Sequence, residues 1–459
     1  MAQKFNEMAK PRYEHPVIRK MTTGLMNKFG TRPEFDPVTN IEGIAVSKLI
    51  SDYGSPLFVL SEKQIRRNFQ NASRIFSTRY PKVQFAWSYK TNYLSAVCNI
   101  FHQEGSWAEV VSGFEYTKAE HNGVPGNKII FNGPYKTDDE LVKAARSNSF
   151  IHIDHLDELF TLSELSRKHN LKPKVAVRVN MDTGIYPKWD RFGFNLENGQ
   201  AWNAITRIIN DGNLELTGLH CHIGTFIMTP SAYAAATAKL CELAHSIKTK
   251  FGRNIQYIDL GGGFPSINNL KGAYLPGSDT IPSLDQFADA IASTILESGF
   301  KQEELPLLIL ETGRALIDDA GFLLGTVVTS KRLSDGRRAT ILDFGVNLLF
   351  TSFWYDHKIN PAQETGKYTE DMALYGPLCM NIDLVRESIN MPLLEKGNHV
   401  VVQKVGAYNM TQWMQFITLR PNVVLIDRNN KVSIIRKAET NELIQSSEEL
   451  PEHLMEIGF

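Results

Sequence analysis

Residues able to do chemistry recur in this sequence at one kind of place, the end of a short apolar run. Lys90 follows VQFAWSY, Glu109 lies in WAEVV, Arg178 and Asn180 end KVAVRVN, and His220 and His222 end LTGLHCH. Gly261, Gly262 and Gly263 close IQYIDLGGG, while Glu311, Gly313 and Arg314 close LLILETGR. Taken singly, each has a plain structural explanation. Lysine is usually exposed, a histidine in a strand is more often a satisfied core residue than a catalyst, and three glycines are more often a turn. Their joint placement says more. A triple-glycine turn leaves backbone N–H groups uncovered for a phosphate, and a nearby arginine adds a charge-assisted contact. A lysine pressed among aromatics such as Trp87 and Tyr89 can have a lowered pKa and form a Schiff base. Phosphate cradle and Schiff-base lysine together point to pyridoxal phosphate.

Something must bring these ends to one place. Eight apolar, β-branched or aromatic runs occur, VQFAWS, WAEVV, IIFNG, FIHID, KVAVRVN, LTGLHCHIG, IQYIDLGGG and LLILETG. Segments with helical spacing separate them, several opening with a capping box: Ser112 with Glu115, Thr137 with Glu140, Ser283 with Gln286. Eight strands alternating with helices predict an α/β fold, a closed (β/α)8 TIM-like barrel. An open doubly wound sheet fits less well, because the glycine-rich run follows the seventh strand and not the first. Barrel enzymes work at the C-terminal ends of their strands, which is where the residues above fall. After residue 320 the texture changes to strand-rich stretches, GTVVTSKRL, RATILDFGV, HVVVQKVGAY and PNVVLIDRNNKVSIIRKA, predicting a second, mostly β domain. The expected division is an N-terminal extension over 1–56 contributing to the β domain, a cofactor-binding barrel over 57–318, and the C-terminal β domain over 319–459.

Bulk properties narrow the partners. Lys and Arg total 49 against 50 Asp and Glu, with no long run of either sign, so neither nucleic acid nor an anionic membrane surface is expected as the main partner. No stretch reads as a signal peptide or bilayer span, and a cytoplasmic location is expected. The four cysteines, Cys98, Cys221, Cys241 and Cys379, are too scattered for a disulfide framework.

Seven motifs then occur in a known order. SYKTN, AEVVSGFEY, HCHIGT, DLGGGFP, ETGR, GPLC and GAY resemble the signatures of the fold-type III pyridoxal-phosphate decarboxylases, the diaminopimelate, ornithine and arginine decarboxylase family with an alanine racemase-like fold. The resemblance spans roughly residues 55–420. It implies that Lys90 holds the cofactor aldehyde as a Schiff base and exchanges it for the substrate amine. It further implies that His222 stacks on the pyridine ring, that Thr225, Gly261 to Gly263, Arg314 and Tyr408 hold the phosphate, and that Glu311 pairs with the pyridine nitrogen. Glu109, Arg178 and Gly313 belong to the same cofactor-binding set. A carboxylate at 311 keeps that nitrogen protonated and the ring a strong electron sink; racemases of this fold place an arginine there, so glutamate favours decarboxylation. Cys379 matches the family cysteine that enters the other subunit's site as an acid. The resemblance therefore implies a homodimer with shared active sites.

The substrate side departs from the pattern. FWYDHKI resembles the ornithine-decarboxylase segment in which the aspartate, here Asp356 after Tyr355, meets the distal amine. Diaminopimelate decarboxylases carry an Arg-Pro pair upstream whose arginine grips the distal carboxylate; here Thr351 and Ser352 stand instead. Met380 replaces the acidic residue that follows the family cysteine. Lesser changes are Thr312 for proline and Thr225 for serine. The expected activity is decarboxylation of a basic or diamino acid, lysine- or ornithine-like, modified or D-configured, to an amine and CO2. The alternatives are a diaminopimelate decarboxylase making L-lysine and an amino-acid racemase. A non-catalytic homologue is disfavoured because Lys90, Glu311, Arg314 and Cys379 are all present. A metal-dependent hydrolase using His220 and His222 lacks a carboxylate partner near them in sequence, and no metal is expected. The segment 265–283 reads as a lid, a dimer contact or a surface loop.

Overall fold

The computed structural model describes residues 36–273 and 275–455. The N-terminal part of the 1–56 extension lies outside the described residues. The eight expected strands form one closed parallel sheet: Val83–Ser88, Trp107–Val110, Ile129–Phe131, Phe150–Ile153, Lys174–Asn180, Glu215–His220, Tyr257–Asp259 and Leu307–Leu310. The first pairs with the eighth, and the fifth with the sixth, so no edge is left. Because the strands are covered on both faces, they read as near-continuous apolar runs and not as alternating ones.

Register carries the site. In parallel strands, residues in register are lateral neighbours, and here Ser88 stands beside Glu109, His220 beside both Arg178 and Asp259, and Asp259 beside Ile309. Residues up to 50 positions apart thus become lateral neighbours. Ala86, Ile130, Ala176 and Tyr257, one from each odd-numbered strand, pack together with Ile309 of the eighth into a buried cluster that fills the barrel. The two alanines leave room for the tyrosine ring, whose hydroxyl reaches His152 Nε2 at 3.1 Å.

Helix starts follow the expected caps in two of three cases. Thr137 and Glu140 bond reciprocally, and the Gln286 side chain accepts the Ser283 N–H at 2.9 Å. Ser112 accepts from the Glu115 N–H, but the Glu115 carboxylate accepts from Val111 N–H instead, leaving half a box.

The second sheet is built around the long strand Gly321–Arg332. It pairs antiparallel with Leu57–Ser61, Arg338–Leu342 and His399–Gln403. Leu57–Ser61 in turn pairs with Val423–Ile426, so a strand that precedes the barrel in sequence lies in the same sheet as strands that follow it. Ile41, Val46 and Leu49 pack against this sheet with Leu57, Leu324, Val401 and Ile426. At roughly 1.5–3 kcal/mol for each fully buried aliphatic side chain, this contact anchors the segment ahead of Leu57. Thr369–Tyr375 and Leu384–Pro392 extend the sheet, and Cys379 lies in the connection between them. Among the described residues, no helix is long and apolar enough to cross a membrane.

Candidate active site

Lys90 sits in the single turn Tyr89–Thr91 that ends the first strand. The turn is locked from below: Trp87 stacks on Phe101 at 3.8 Å and donates to the Asn92 carbonyl, while the Asn92 amide reaches Gly406 O at 3.0 Å. Lys90 Nζ lies 3.0 and 2.9 Å from the two oxygens of fully buried Glu109. Glu109 also accepts from Asn132 Nδ2 at 3.0 Å, and the same amide nitrogen reaches Glu311 Oε1 at 2.5 Å. The expectation that aromatics lower the Lys90 pKa is overturned. Trp87 and Tyr89 face away, Tyr89 toward His102 at 2.9 Å. Burial does pull the ammonium down, but the carboxylates of Glu109 and Glu311 outweigh it, and the pKa ends above the ordinary lysine value. Glu109, in contact with Nζ, is placed to accept the proton that Lys90 must lose to act as a nucleophile.

The glycine turn admits no side chain. A Cβ on Gly262 would stand 2.3 Å from the Glu311 carbonyl, and one on Gly263 would stand 2.3 Å from the Gly224 carbonyl. Gly261 and Gly263 also have φ of +66° and +94°, the left-handed region that favours glycine. His222 faces this turn: its Nδ1 accepts the Gly262 N–H at 3.1 Å. Burial, with Arg178 and Lys90 nearby, pushes the His222 imidazole down to about 3. It is neutral at physiological pH and carries its proton on Nε2. Since the folded value lies below the unfolded one, this histidine's contribution to stability is present above pH 6.5 and is lost as pH falls toward 3. Relative to His222→Gln, the cofactor-free wild type should lose up to about 1.4 kcal/mol per pH unit over that window, measured by urea denaturation at pH 7, 6 and 5.

Opposite the glycines, buried Arg314 donates to Thr225 Oγ1 at 3.2 Å, and its guanidinium lies 4.7 Å from the Tyr408 ring. Tyr408 holds a φ of +64° while its N–H bonds Thr91 O at 2.8 Å, tying the second sheet to the lysine turn. A Cβ on Gly313 would meet Thr91 Oγ1 at 2.3 Å. Arg178 bonds Asp154 at 3.2 Å and stacks on Phe192, with its guanidinium 4.6 Å from the ring.

Beyond the phosphate-type cradle, Tyr355 is buried, with its ring 5.7 Å from Phe226 and from the Arg314 guanidinium. Asp356 does not stand alone: Arg386 Nε lies 3.5 Å from its Oδ1, and both side chains are partly shielded. Thr351, where an arginine would grip a carboxylate, is fully buried and closed into bonds with His357 and Asn409, each at 2.8 Å. Residues 269–271 of the 265–283 segment run antiparallel to 354–356, through the Leu270–Tyr355 bridge and the bond from Asp356 N–H to Asn269 O. Phe226, Met228, Leu270, Ala273 and Ile281 line a cavity of about 290 Å³ under this segment. Cys379 is exposed on this single chain, and Met380 beside it is half-buried.

Residues 62–318 match the family model described as the pyridoxal-dependent decarboxylase, pyridoxal binding domain. The chain belongs to the pyridoxal-dependent decarboxylases. It is 30% identical over 434 residues to the diaminopimelate decarboxylase of Methanocaldococcus jannaschii, covering 90% of this chain and 96% of the relative. The Aquifex aeolicus diaminopimelate decarboxylase is 28% identical, with coverages of 88% and 94%. The crystal structure of the M. jannaschii enzyme with L-lysine superposes with a TM-score of 0.84 at 28% identity, over 92% of this chain and 98% of that one.

The protein is thus a pyridoxal-phosphate-dependent carboxy-lyase acting on an amino acid, with the barrel and mostly β second domain of fold type III. The geometry fits the cofactor. The glycine turn, Thr225 and Arg314 make a cradle that a Cβ would fill, and Lys90 projects into the same mouth as Glu311. Sequence reasoning missed four residues here. Asn132, which joins Glu109 to Glu311, ends the third strand and was available to the same strand-end rule. His152 and Asp259 lie inside strands already singled out, and Arg386 carries no sequence signal. No carboxylate partner stands near His220 in sequence, but the fold brings one from the eighth strand end: Glu311 Oε2 stands 3.6 Å from His220 Nε2.

Proposed function

We propose that this decarboxylase removes one carboxylate from a diamino acid whose far end is zwitterionic, meso-diaminopimelate being the type, to give L-lysine and CO2. In this reading Lys90 binds the cofactor aldehyde and yields it to the substrate amine. His222 covers the ring, Glu109 takes up the lysine proton, and Glu311 faces the pyridine nitrogen. Thr225, Gly261, Gly262, Gly263, Gly313, Arg314 and Tyr408 hold the phosphate, with Arg178 behind them. The cofactor, when bound, supplies the sink for the electron pair left as CO2 departs. The proton that replaces the carboxylate comes from Cys379 of the partner subunit, in a homodimer whose two sites are shared.

The observation that carries the substrate assignment is the Asp356–Arg386 pair beside Tyr355. A lone distal ammonium would find Asp356 already countered and a guanidinium next to it. A distal amino-acid centre offers an ammonium to Asp356 and a carboxylate to Arg386, restoring the grip that buried Thr351 cannot give. The identities to diaminopimelate decarboxylases support the same choice. Lysine- or ornithine-like substrates, modified or D-configured, form the second reading; Met380, apolar where the family has an acid, cannot accept from a distal ammonium and makes this pocket unlike that of a standard ornithine or diaminopimelate enzyme.

A panel of meso-diaminopimelate and the L- and D-forms of lysine and ornithine, scored by CO2 release and amine identity, tests this. We expect meso-diaminopimelate to have the highest kcat/KM. Arg386→Gln should cut that value by about 10–100-fold, chiefly through KM, the worth of one charged contact. L-ornithine as the best substrate would establish the second reading instead.

A further inference from the structure

At the floor of the cofactor site lie four buried ionisable side chains, His152, His220, Asp259 and Glu311, whose ligating atoms are all within 4.8 Å of one another. Glu311 has a donor in Asn132. Asp259 is different. Its Oδ1 accepts the Gly261 N–H at 2.8 Å, but its Oδ2 is closed off from solvent and receives no hydrogen bond among the described residues. A buried carboxylate oxygen lacking a donor is costly, whereas a buried carboxyl that keeps its proton can itself donate. The surroundings decide between the two. The charged neighbour is a second carboxylate, Glu311, and two carboxyl groups sharing one site do not both ionise cheaply. Burial, then the charge on Glu311, pushes the Asp259 carboxyl well above its ordinary range. His152 and His220, driven well down by burial, are neutral and offer no compensating charge.

We propose that Asp259 is a positioning residue: it donates a hydrogen bond from Oδ2 to Glu311 and so fixes the face that Glu311 turns toward the pyridine nitrogen. This rests on the reading of Glu311 as the group facing that nitrogen. Asp259 is itself pinned from behind by the Gly261 N–H. Five consecutive residues, 259–263, therefore set both ends of the cofactor, the ring through Asp259 and Glu311 and the phosphate through the glycines. A shift of the glycine turn is transmitted to Glu311, so that the two ends cannot lose register independently.

The test compares Asp259→Asn and Asp259→Leu in the full-length, cofactor-loaded protein. The amide preserves both contacts, since its oxygen accepts from Gly261 and its N–H replaces the O–H toward Glu311. Leucine removes both at similar volume. Asp259→Asn should bind cofactor within about threefold of wild type and keep the pH dependence of the bound-cofactor absorbance. Asp259→Leu should lose about tenfold or more in cofactor affinity, the worth of one hydrogen bond to a charged group. It should also shift the absorbance pH profile and lower kcat more than it raises KM. If Asp259→Asn is folded by circular dichroism yet as impaired as a deletion of the group, the carboxyl acts as a charge and the proposal is overturned. It is equally overturned if Asp259→Leu behaves as wild type. Should the leucine variant not fold, the asparagine variant alone decides by the same criteria. Glu311→Gln, run in parallel, separates the two levels. An unchanged absorbance profile in that variant removes the reading of Glu311, and the role of Asp259 with it. A changed profile alongside a wild-type Asp259→Leu removes only the role of Asp259.

Discussion

Lys90→Arg should leave a folded protein with no covalently held cofactor and with kcat/KM lower by about 10³-fold or more, the scale for losing a group at the centre of the chemistry. The substitution is chosen because Lys90 has two separable jobs. Among the described residues its nitrogen is the lysine nitrogen placed on Glu109 at the end of the first strand, and Glu109 has no solvent exposure with which to compensate a lost cation. A guanidinium keeps the charge opposite Glu109 but does not form the imine, so activity should vanish while stability stays near wild type. Lys90→Ala removes both functions. The Lys90 side chain is 40% exposed, and Glu109 retains Ser88 and Asn132 as donors. The added loss should therefore be about 1–3 kcal/mol, below the 3–5 kcal/mol typical of a fully buried pair. Borohydride trapping and mass spectrometry read the covalent link, and urea denaturation reads the charge. Equal stability of the two variants would show that Glu109 does not depend on a cation at position 90.

The limits of sequence reading at this site have a common physical origin. The strand ends were legible, since Lys90, the triple glycine and Glu311 each follow an apolar run whose length and punctuation mark a strand. The barrel followed from their number and alternation. What escaped were properties that only lateral neighbours confer. The pKa of Lys90 moves upward because Glu109, one strand over, and Glu311, across the mouth, outweigh burial; nothing in SYKTN reveals that balance. Asp259 reads as the tail of a strand until register sets it beside His220 and near Glu311. Arg386 lies 30 residues beyond Asp356, in the strand Leu384–Pro392, and only the fold brings them together. Thr351 shows the converse: its identity was legible as a lost arginine, but that the space is filled by bonds to His357 and Asn409 was not.

Mixing two inactive variants, Lys90→Ala and Cys379→Ala, should restore activity to about a quarter of wild type. The argument starts from exposure. Most chemistry-bearing residues of this site are buried or line the barrel mouth, yet Cys379 lies exposed in the connection between two strands of the second sheet. Its backbone is nonetheless fixed: Asp383 accepts the N–H groups of Leu378 and Val346, at 2.7 and 2.8 Å, and so braces the connection. In the proposed shared-site dimer, this braced loop presents its exposed thiol to the barrel mouth of the partner subunit. If each site draws Lys90 from one subunit and Cys379 from the other, a mixed dimer has one site with both defects and one with neither. Random reassortment makes about half of all dimers mixed, each with one of two sites intact. Each parent alone should remain low, Lys90→Ala by about 10³-fold and Cys379→Ala by about 10²–10⁴-fold, as for a missing general acid. The measurement is CO2 release after the variants are co-expressed or unfolded and refolded together, with the parents treated identically. Activity that stays at the average of the two parents would place Cys379 and Lys90 of one site on the same chain, or remove Cys379 from the chemistry altogether.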